Sequence, residues 1–183
     1  MNRIREKIYQ LPQKEKFLLD SLIVEKEYKK GELIFDSSSS DHYSYYVVDG
    51  LLRKYVSKNG LEKTLDFYFS DDVYFSPIQH QDNRTNCYLQ ALRKTVLYKI
   101  SNLQFEKVKF DKPDLLHLEN IILEAALAQT SGRLQDFQTM TAKERYQALL
   151  ERNPRVIQKL PLIYVASYLG INNASLSRIR ASL

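Results

Sequence analysis

Apolar residues fall at Ile4, Ile8 and Leu11 and again at Phe17, Leu18 and Leu22, with Pro12 between the two groups. That spacing predicts two short helices within residues 1–23. From Val24 the pattern shortens. Runs rich in aromatic and β-branched residues occupy Glu32 to Phe35, Tyr45 to Val48, Leu51 to Val56, Thr64 to Phe69, Val73 to Phe75 and Tyr88 to Ile100. Between them lie Lys30-Gly31, Asp49-Gly50, Asn59-Gly60, Asp71-Asp72 and the stretch Gln79 to Asn86. Short strands at near-regular spacing with glycine-containing turns predict a β-barrel, roll or sandwich. Asn59-Gly60 predicts a tight hairpin, because that turn needs positive φ at both central residues. The serines 37–40 read as a solvated loop.

After Ser101 the strands stop. Asn102 to Phe110 reads as a short helix, and Pro113 opens a long one that reaches about Met140, with proline in its expected first-turn place. Two apolar stripes run along this helix. Leu116, Leu123, Leu127, Leu134 and Phe137 form one, with polar Asn120 and Thr130 at the intermediate positions. Leu118, Ile121, Ile122, Ala125 and Ala128 form the second, about 200° away for positions two residues apart. A helix that is apolar on opposite sides must be covered twice. The β-domain supplies one cover, and a second copy of the chain is the expected other.

Thr141 with Glu144 three residues on makes a capping box, which starts a helix through Tyr146, Leu149 and Leu150 that Asn153-Pro154 stops. The last stretch, from Leu160 to Leu183, reads as two helices around Gly170. In the first, Ile163, Val165, Ala166 and Leu169 give the expected buried side, and small Ala166 permits a close crossing. Gly170 ends it where positive φ is needed, Ile171 plugs the turn, and Asn172 or Asn173 caps the next helix. In that second helix Leu176, Ile179 and Leu183 form the apolar back. Asn173, Ser175, Ser177, Arg178 and Arg180 occupy the rest, with no acid. Asn pairs with adenine, Arg with guanine and Ser with phosphate, so this pattern predicts a helix-turn-helix whose second helix enters a major groove.

Charge sharpens that reading. The net charge of +5 comes from 27 basic and 22 acidic residues. Residues 141–183 hold seven of the former (Lys143, Arg145, Arg152, Arg155, Lys159, Arg178, Arg180) and only Glu144 and Glu151 of the latter, so residues 1–140 are balanced. A neutral body with a basic end implies a polyanionic partner for that end. One cysteine excludes a disulfide framework and any thiolate-rich zinc site. No apolar run approaches the ~18 residues that a membrane span needs. The opening MNRIREKIYQ has no apolar segment behind it, so a cytoplasmic protein without membrane contact is expected.

In this order, a β-roll, a long two-faced helix and a terminal helix-turn-helix resemble the catabolite-activator/FNR (Crp/Fnr) family of bacterial transcription regulators, in the form met in Bacteroidetes. Tyr46-Val-Val-Asp-Gly-Leu-Leu-Arg53 resembles the family's strand-turn-strand element around a glycine, and Val165 to Arg178 resembles its DNA-reading motif. The resemblance covers almost the whole chain. It implies an α+β fold: a cyclic-nucleotide-binding-like β-roll (jelly roll) with flanking helices over residues 1–112, a dimerisation helix over 113–140, and a helix-turn-helix DNA-binding domain over 141–183. It also implies a non-enzymatic homodimer on palindromic double-stranded DNA, with Asn172, Asn173, Ser175, Ser177, Arg178 and Arg180 at the DNA. RNA polymerase and an unidentified small-molecule effector are the further partners it implies, and no cofactor is expected.

Two departures from the family pattern matter. Where cyclic-AMP-responsive members carry an Arg-Glu pair and a later Arg, this chain has Asn173, Ala174 and Arg178, so the DNA sequence read should differ. Where cyclic-nucleotide sensors carry Gly-Glu and Arg-Ser pairs, the matching positions hold Phe75-Ser76 and Thr85-Asn86. Arg84 is one position off, and a one-residue slip along a strand points a side chain to the other face. A buried phosphate without an arginine is poorly held, so a cyclic nucleotide is not the expected ligand. The lone Cys87 excludes a multi-cysteine iron–sulfur site and reads as a small buried residue. His42, His80 and His117 show no metal-binding spacing. Two other classes remain open: a ligand-sensing dimeric interaction module that does not bind DNA, and a cupin-like β-barrel enzyme, which would need clustered His and Glu that the sequence lacks.

Overall fold

A computed structural model describes residues 3–36, 42–75, 86–152 and 160–183. The two opening helices form as the spacing predicts: α1 (Arg3–Gln10) and α2 (Gln13–Leu22). Eight strands follow: β1 (Val24–Tyr28), β2 (Leu33–Asp36), β3 (Tyr43–Asp49), β4 (Leu51–Lys58), β5 (Leu61–Phe69), β6 (Val73–Tyr74), β7 (Asn86–Ala91) and β8 (Thr95–Ser101). They pair antiparallel in two four-stranded sheets, ordered β1-β8-β3-β6 and β2-β7-β4-β5. The β4–β5 hairpin turns at Asn59 and Gly60 with φ of 53° and 76°, the positive pair its sequence requires. At the β3–β4 corner Gly50 has φ of 150°, and a Cβ there would lie 2.4 Å from the buried Thr95 side chain. No other residue fits that corner.

Alternation along the strands divides the roll into an inside and an outside. Inward residues of both sheets, among them Tyr28, Tyr45, Val47, Leu52, Tyr74, Leu89 and Leu97, make one core, with Phe35, Tyr43 and Tyr68 packed against it. Aromatic rings crowd this interior: Tyr74 lies 6.1 Å from Tyr45, 6.3 Å from Phe35 and 5.5 Å, edge-on, from Tyr68. Burial raises the Tyr68 hydroxyl well above the usual phenol range.

The helical part comprises α3 (Asn102–Lys109), α4 (Pro113–Thr139), α5 (Ala142–Arg152), α6 (Leu162–Leu169) and α7 (Asn173–Ala181). A second core holds Ile4, Leu11 and Leu19 of the opening helices against Leu115, Leu118 and Ile121 of α4, on the outer side of the β1-β8-β3-β6 sheet. A third joins Leu51, Phe67 and Phe69 of the roll to Tyr146, Leu149, Val165, Ala166, Leu169 and Leu176 of the last three helices. The roll and the terminal helices therefore share one apolar interior across residue 141.

Four sequence expectations are corrected. The β1 strand was not foreseen, because of Val24 to Tyr28 only Tyr28 is buried. The run Tyr88 to Ile100 is two strands, broken at Leu92–Lys94, where the Leu92 N–H turns to the Leu51 carbonyl at 2.8 Å. The second α4 stripe is covered only as far as Ile122; Ala125 and Ala128 are exposed, whereas Leu115, outside both stripes, is fully buried. Ile163 is 59% exposed rather than buried, since Leu162, Ala166 and Leu169 define the inward face of α6 and Ile163 lies about 100° from Leu162. The serines 37–40, Ser76, His80, Arg84, Thr85, Asn153 and Pro154 lie outside the described residues.

Candidate nucleic-acid interface

The terminal helices are locally well specified. At the start of α5 the Thr141 N–H donates to Glu144 Oε2 at 2.7 Å, and the Glu144 N–H donates back to Thr141 Oγ1 at 3.3 Å. This is the predicted capping box, and the Thr141 backbone N–H, then its hydroxyl, hold the Glu144 carboxyl below its usual pKa. Helix α6 ends at Gly170 (φ 71°, ψ 27°). The Ile171 N–H donates to the Ala166 carbonyl at 3.0 Å and the Gly170 N–H to the Ser167 carbonyl at 3.2 Å, the bond pair of a left-handed helix end. The positive φ favours glycine there, and a Cβ would also crowd the exposed Phe137 ring at 3.0 Å.

Helix α7 begins at Asn172, whose Oδ1 accepts the Ser175 N–H at 2.8 Å. Of the two asparagines offered as caps, Asn172 takes the role. Leu176 is fully buried and Ile179 partly, which fixes the rotation of the helix, whereas Leu183, expected on the same side, lies past the helix end and is exposed. Asn173, Ser177, Arg178 and Arg180 are exposed, whereas Ser175 is half-buried and its Oγ accepts from Arg178 at 3.3 Å. Asn173, Ser177 and Arg178 thus stand on the outer side, and Arg180 lies about 200° around from Arg178.

The basic excess of residues 141–183 is only partly available to a partner. Arg145 donates to the carbonyls of Met140 at 2.6 Å and Leu169 at 3.0 Å and lies 4.6 Å over the Phe137 ring. Lys143 donates to the Ser182 carbonyl at 3.2 Å, just past the end of α7. Arg155, Lys159 and the Arg152 side chain lie outside the described residues. Among the described ones, Arg178 and Arg180 are the cations that project from α7.

Four contacts that the sequence did not reveal seat this unit on the roll. Arg53 of β4 is buried (1% exposed), with its guanidinium between the rings of Tyr55 at 4.3 Å and Tyr164 of α6 at 3.9 Å. It donates to Thr64 Oγ1 at 2.9 Å and Glu62 Oε2 at 2.7 Å. The Thr64 N–H donates to Ser167 Oγ at 2.9 Å, and Phe67 meets Tyr168 at 5.3 Å. Arg133 of α4 lies 4.2 Å over Tyr168 and donates to the Thr64 and Tyr168 carbonyls. A long-range arginine–tyrosine pairing leaves no periodic trace in the sequence.

The first α4 stripe is uncovered. Leu116, Leu123, Leu127, Leu134 and Phe137 are all exposed, Leu127 to 68% and Leu134 to 61%. Phe137 has a second role as the ring between Gly170 and Arg145. Cys87 is half-buried, and burial pushes its thiol pKa up, as suits an unreactive residue. Among the described residues no group of three or more His, Cys, Asp or Glu could hold a metal, and no helix is long and apolar enough to cross a membrane.

Residues 25–111 match the family described as "Cyclic nucleotide-binding domain". A protein assigned to the Crp/Fnr transcriptional regulators, from Eubacterium rectale, superposes with a TM-score of 0.72 at 18% identity, over 93% of this chain and 82% of its own. The chain has the fold of a Crp/Fnr regulator. FixK2 from Bradyrhizobium japonicum superposes with a TM-score of 0.70 at 22% identity, over 88% of this chain and 84% of its own. The catabolite activator protein of Thermus thermophilus gives 0.55 at 19% identity, over 97% and 85%. No curated protein matches the sequence. The Crp/Fnr likeness bears out the α+β roll and long helix expected from the sequence.

Proposed function

We propose that the chain is a homodimeric transcription regulator that reads an inverted DNA repeat with α7, the second helix of a helix-turn-helix formed with α6. The observation that carries this is the outer face of α7: Asn173, Ser177 and Arg178 stand exposed without an acid, while Leu176 anchors the helix from behind. The exposed leucine stripe of α4 supports dimerisation, since burying it against a copy removes a long apolar face from water. On this reading residues 1–112 sense, 113–140 dimerise and 141–183 bind DNA. Asn173 and Arg178 read base edges. Asn172, Ser175, Ser177 and Arg180 contact phosphate or set the geometry. RNA polymerase is the further partner of such a regulator.

Among the described residues the rings of Phe35, Tyr45, Tyr68 and Tyr74 pack together inside the roll, which supports a sensor that does not take cyclic nucleotide. Calorimetry with cyclic AMP and cyclic GMP should show no micromolar binding. The test of the DNA reading is selection from random duplexes followed by titration at two salt concentrations. Recovered sites should be inverted repeats with half-site centres about one helical turn (~34 Å) apart. Absence of binding to any duplex at low salt would refute it.

A further inference from the structure

A groove of about 940 Å³ lies outside the roll, between the outer face of the β1-β8-β3-β6 sheet, the opening helices, α3 and the first half of α4. It opens on the opposite face of that sheet from the roll interior, sharing only Tyr45 with that core among the described residues, and falls in the size range of small-molecule sites. Its floor is the stacked pair Tyr46 and Tyr98, with ring centroids 6.2 Å apart, flanked by Val48 and Ile100. Ile8 of α1 and Ile122 of α4 belong to its sides. Because four elements of one chain enclose it, it is a concave site rather than a flat patch, and water in such an apolar hollow is readily displaced.

The charges at the groove determine what it accepts. Arg5 faces Asp71 at 3.6 Å, and Asp71 also accepts the Tyr46 hydroxyl. Lys109 donates to Glu119 Oε1 at 2.7 Å and to Glu106 at 2.7 Å; burial works against its ammonium, but these carboxylates outweigh that and raise its pKa. Arg5 and, just beyond the lining, Lys109 are thus already matched, so an anionic head would find no unmatched partner. A cationic head would meet only carboxylates that are exposed or already paired, where attraction is weak. The polar groups of the lining are otherwise neutral: the Tyr98 hydroxyl, and Ser44 with Asn102, whose hydroxyl and carboxamide oxygen bond to one another at 2.8 Å.

We propose that this groove binds an uncharged amphiphile: an apolar chain or ring body carrying one neutral hydrogen-bonding head. The lining reaches Leu123, which also stands on the exposed α4 stripe. On the dimer reading above, on which this clause alone rests, occupancy and self-association are therefore linked, and the ligand is the regulator's effector.

The chain contains no tryptophan, so Tyr98→Trp places a single indole reporter on the groove floor. Dodecanol should shift its emission saturably, whereas dodecanoate and dodecylammonium should need at least tenfold higher concentrations. Tyr88→Trp, on the other sheet, should not respond. In the wild type, dodecanol should displace the neutral dye N-phenylnaphthylamine, and cyclic AMP should not. No saturable response to dodecanol in either experiment, or equal or tighter binding of a charged homologue, overturns the proposal. A groove open to dye only in a monomeric Leu127→Asp, Leu134→Asp variant would also overturn it, since a second copy would then be the occupant. None of these readouts involves DNA, so their failure leaves the DNA test independent.

Discussion

Arg53→Ala isolates the link between roll and terminal helices. Two ring contacts at 4.3 and 3.9 Å are desolvated, and each such contact contributes up to about 2 kcal/mol. The charge-assisted bond to Thr64, itself buried, adds roughly 1.5–3 kcal/mol before the recovered desolvation of the guanidinium is subtracted. The net loss should be about 3–5 kcal/mol, the usual cost of breaking a buried charged network. For a chain of this length that is a fall in Tm of roughly 6–20 °C. Glu62 is 44% exposed, so Glu62→Gln should cost less than about 1 kcal/mol although it removes the same ion pair. Urea unfolding followed by circular dichroism, at one fixed protein concentration, measures both. A cost below about 1 kcal/mol for Arg53→Ala, or an equal cost for Glu62→Gln, would show that the stacked rings do not carry the contact.

Other perturbations test separate parts of the structure. Leu127→Asp with Leu134→Asp should give folded monomers by sedimentation, because both side chains are exposed in the single chain and unpaired charges would be buried in a dimer; a wild type that is monomeric at micromolar concentration contradicts the dimer. Arg178→Ala should cost roughly 1–3 kcal/mol on specific DNA and relax one base pair per half-site, whereas Arg180→Ala should weaken all sequences alike and reduce the salt slope by about one. Equal losses of Arg178→Ala on specific and random duplexes would assign base reading to another residue. The folded state lowers the Glu144 pKa, so its stabilising contribution is present above the usual glutamate value of 4.5 and is lost as pH falls through the lowered one. The stability gap between wild type and Glu144→Gln should therefore close as pH falls below 4.5 and through the lowered value, and a gap that widens on acidification would contradict the capping box.

What the sequence revealed, and what it hid, follow from the range of each signal. The Asn59-Gly60 hairpin, the α5 capping box and the Gly170 helix end are local chemistry, and each sits where its residues require. The exposed α4 stripe was readable because a heptad-like spacing persists over six turns. The β1 strand was hidden because an edge strand with one buried residue has no alternation to see. The extent of α4 coverage depends on where the roll ends, which no property of Ala125 or Ala128 encodes. The inward face of Arg145 was invisible for a similar reason: its partners are main-chain carbonyls, which any sequence supplies. Arg53 and Tyr164 meet only after the fold closes, so nothing in the sequence marks Arg53 as the residue that ties the candidate interface to the roll.

The strand β5 lies at the rim of its sheet, where unpaired main-chain groups invite a foreign strand to add. Thr64, in its middle, has its N–H closed by Ser167 and its carbonyl by Arg133, while α6 lies along the strand. Helices α4 and α6 therefore cover the middle of this edge against an added strand. A chain ending near Met140 would lose Ser167 and bare Leu51, Phe67 and Phe69 together beside that rim. Forms shortened there should polymerise rather than remain dispersed, and a charged residue in place of Phe67 should restore their solubility.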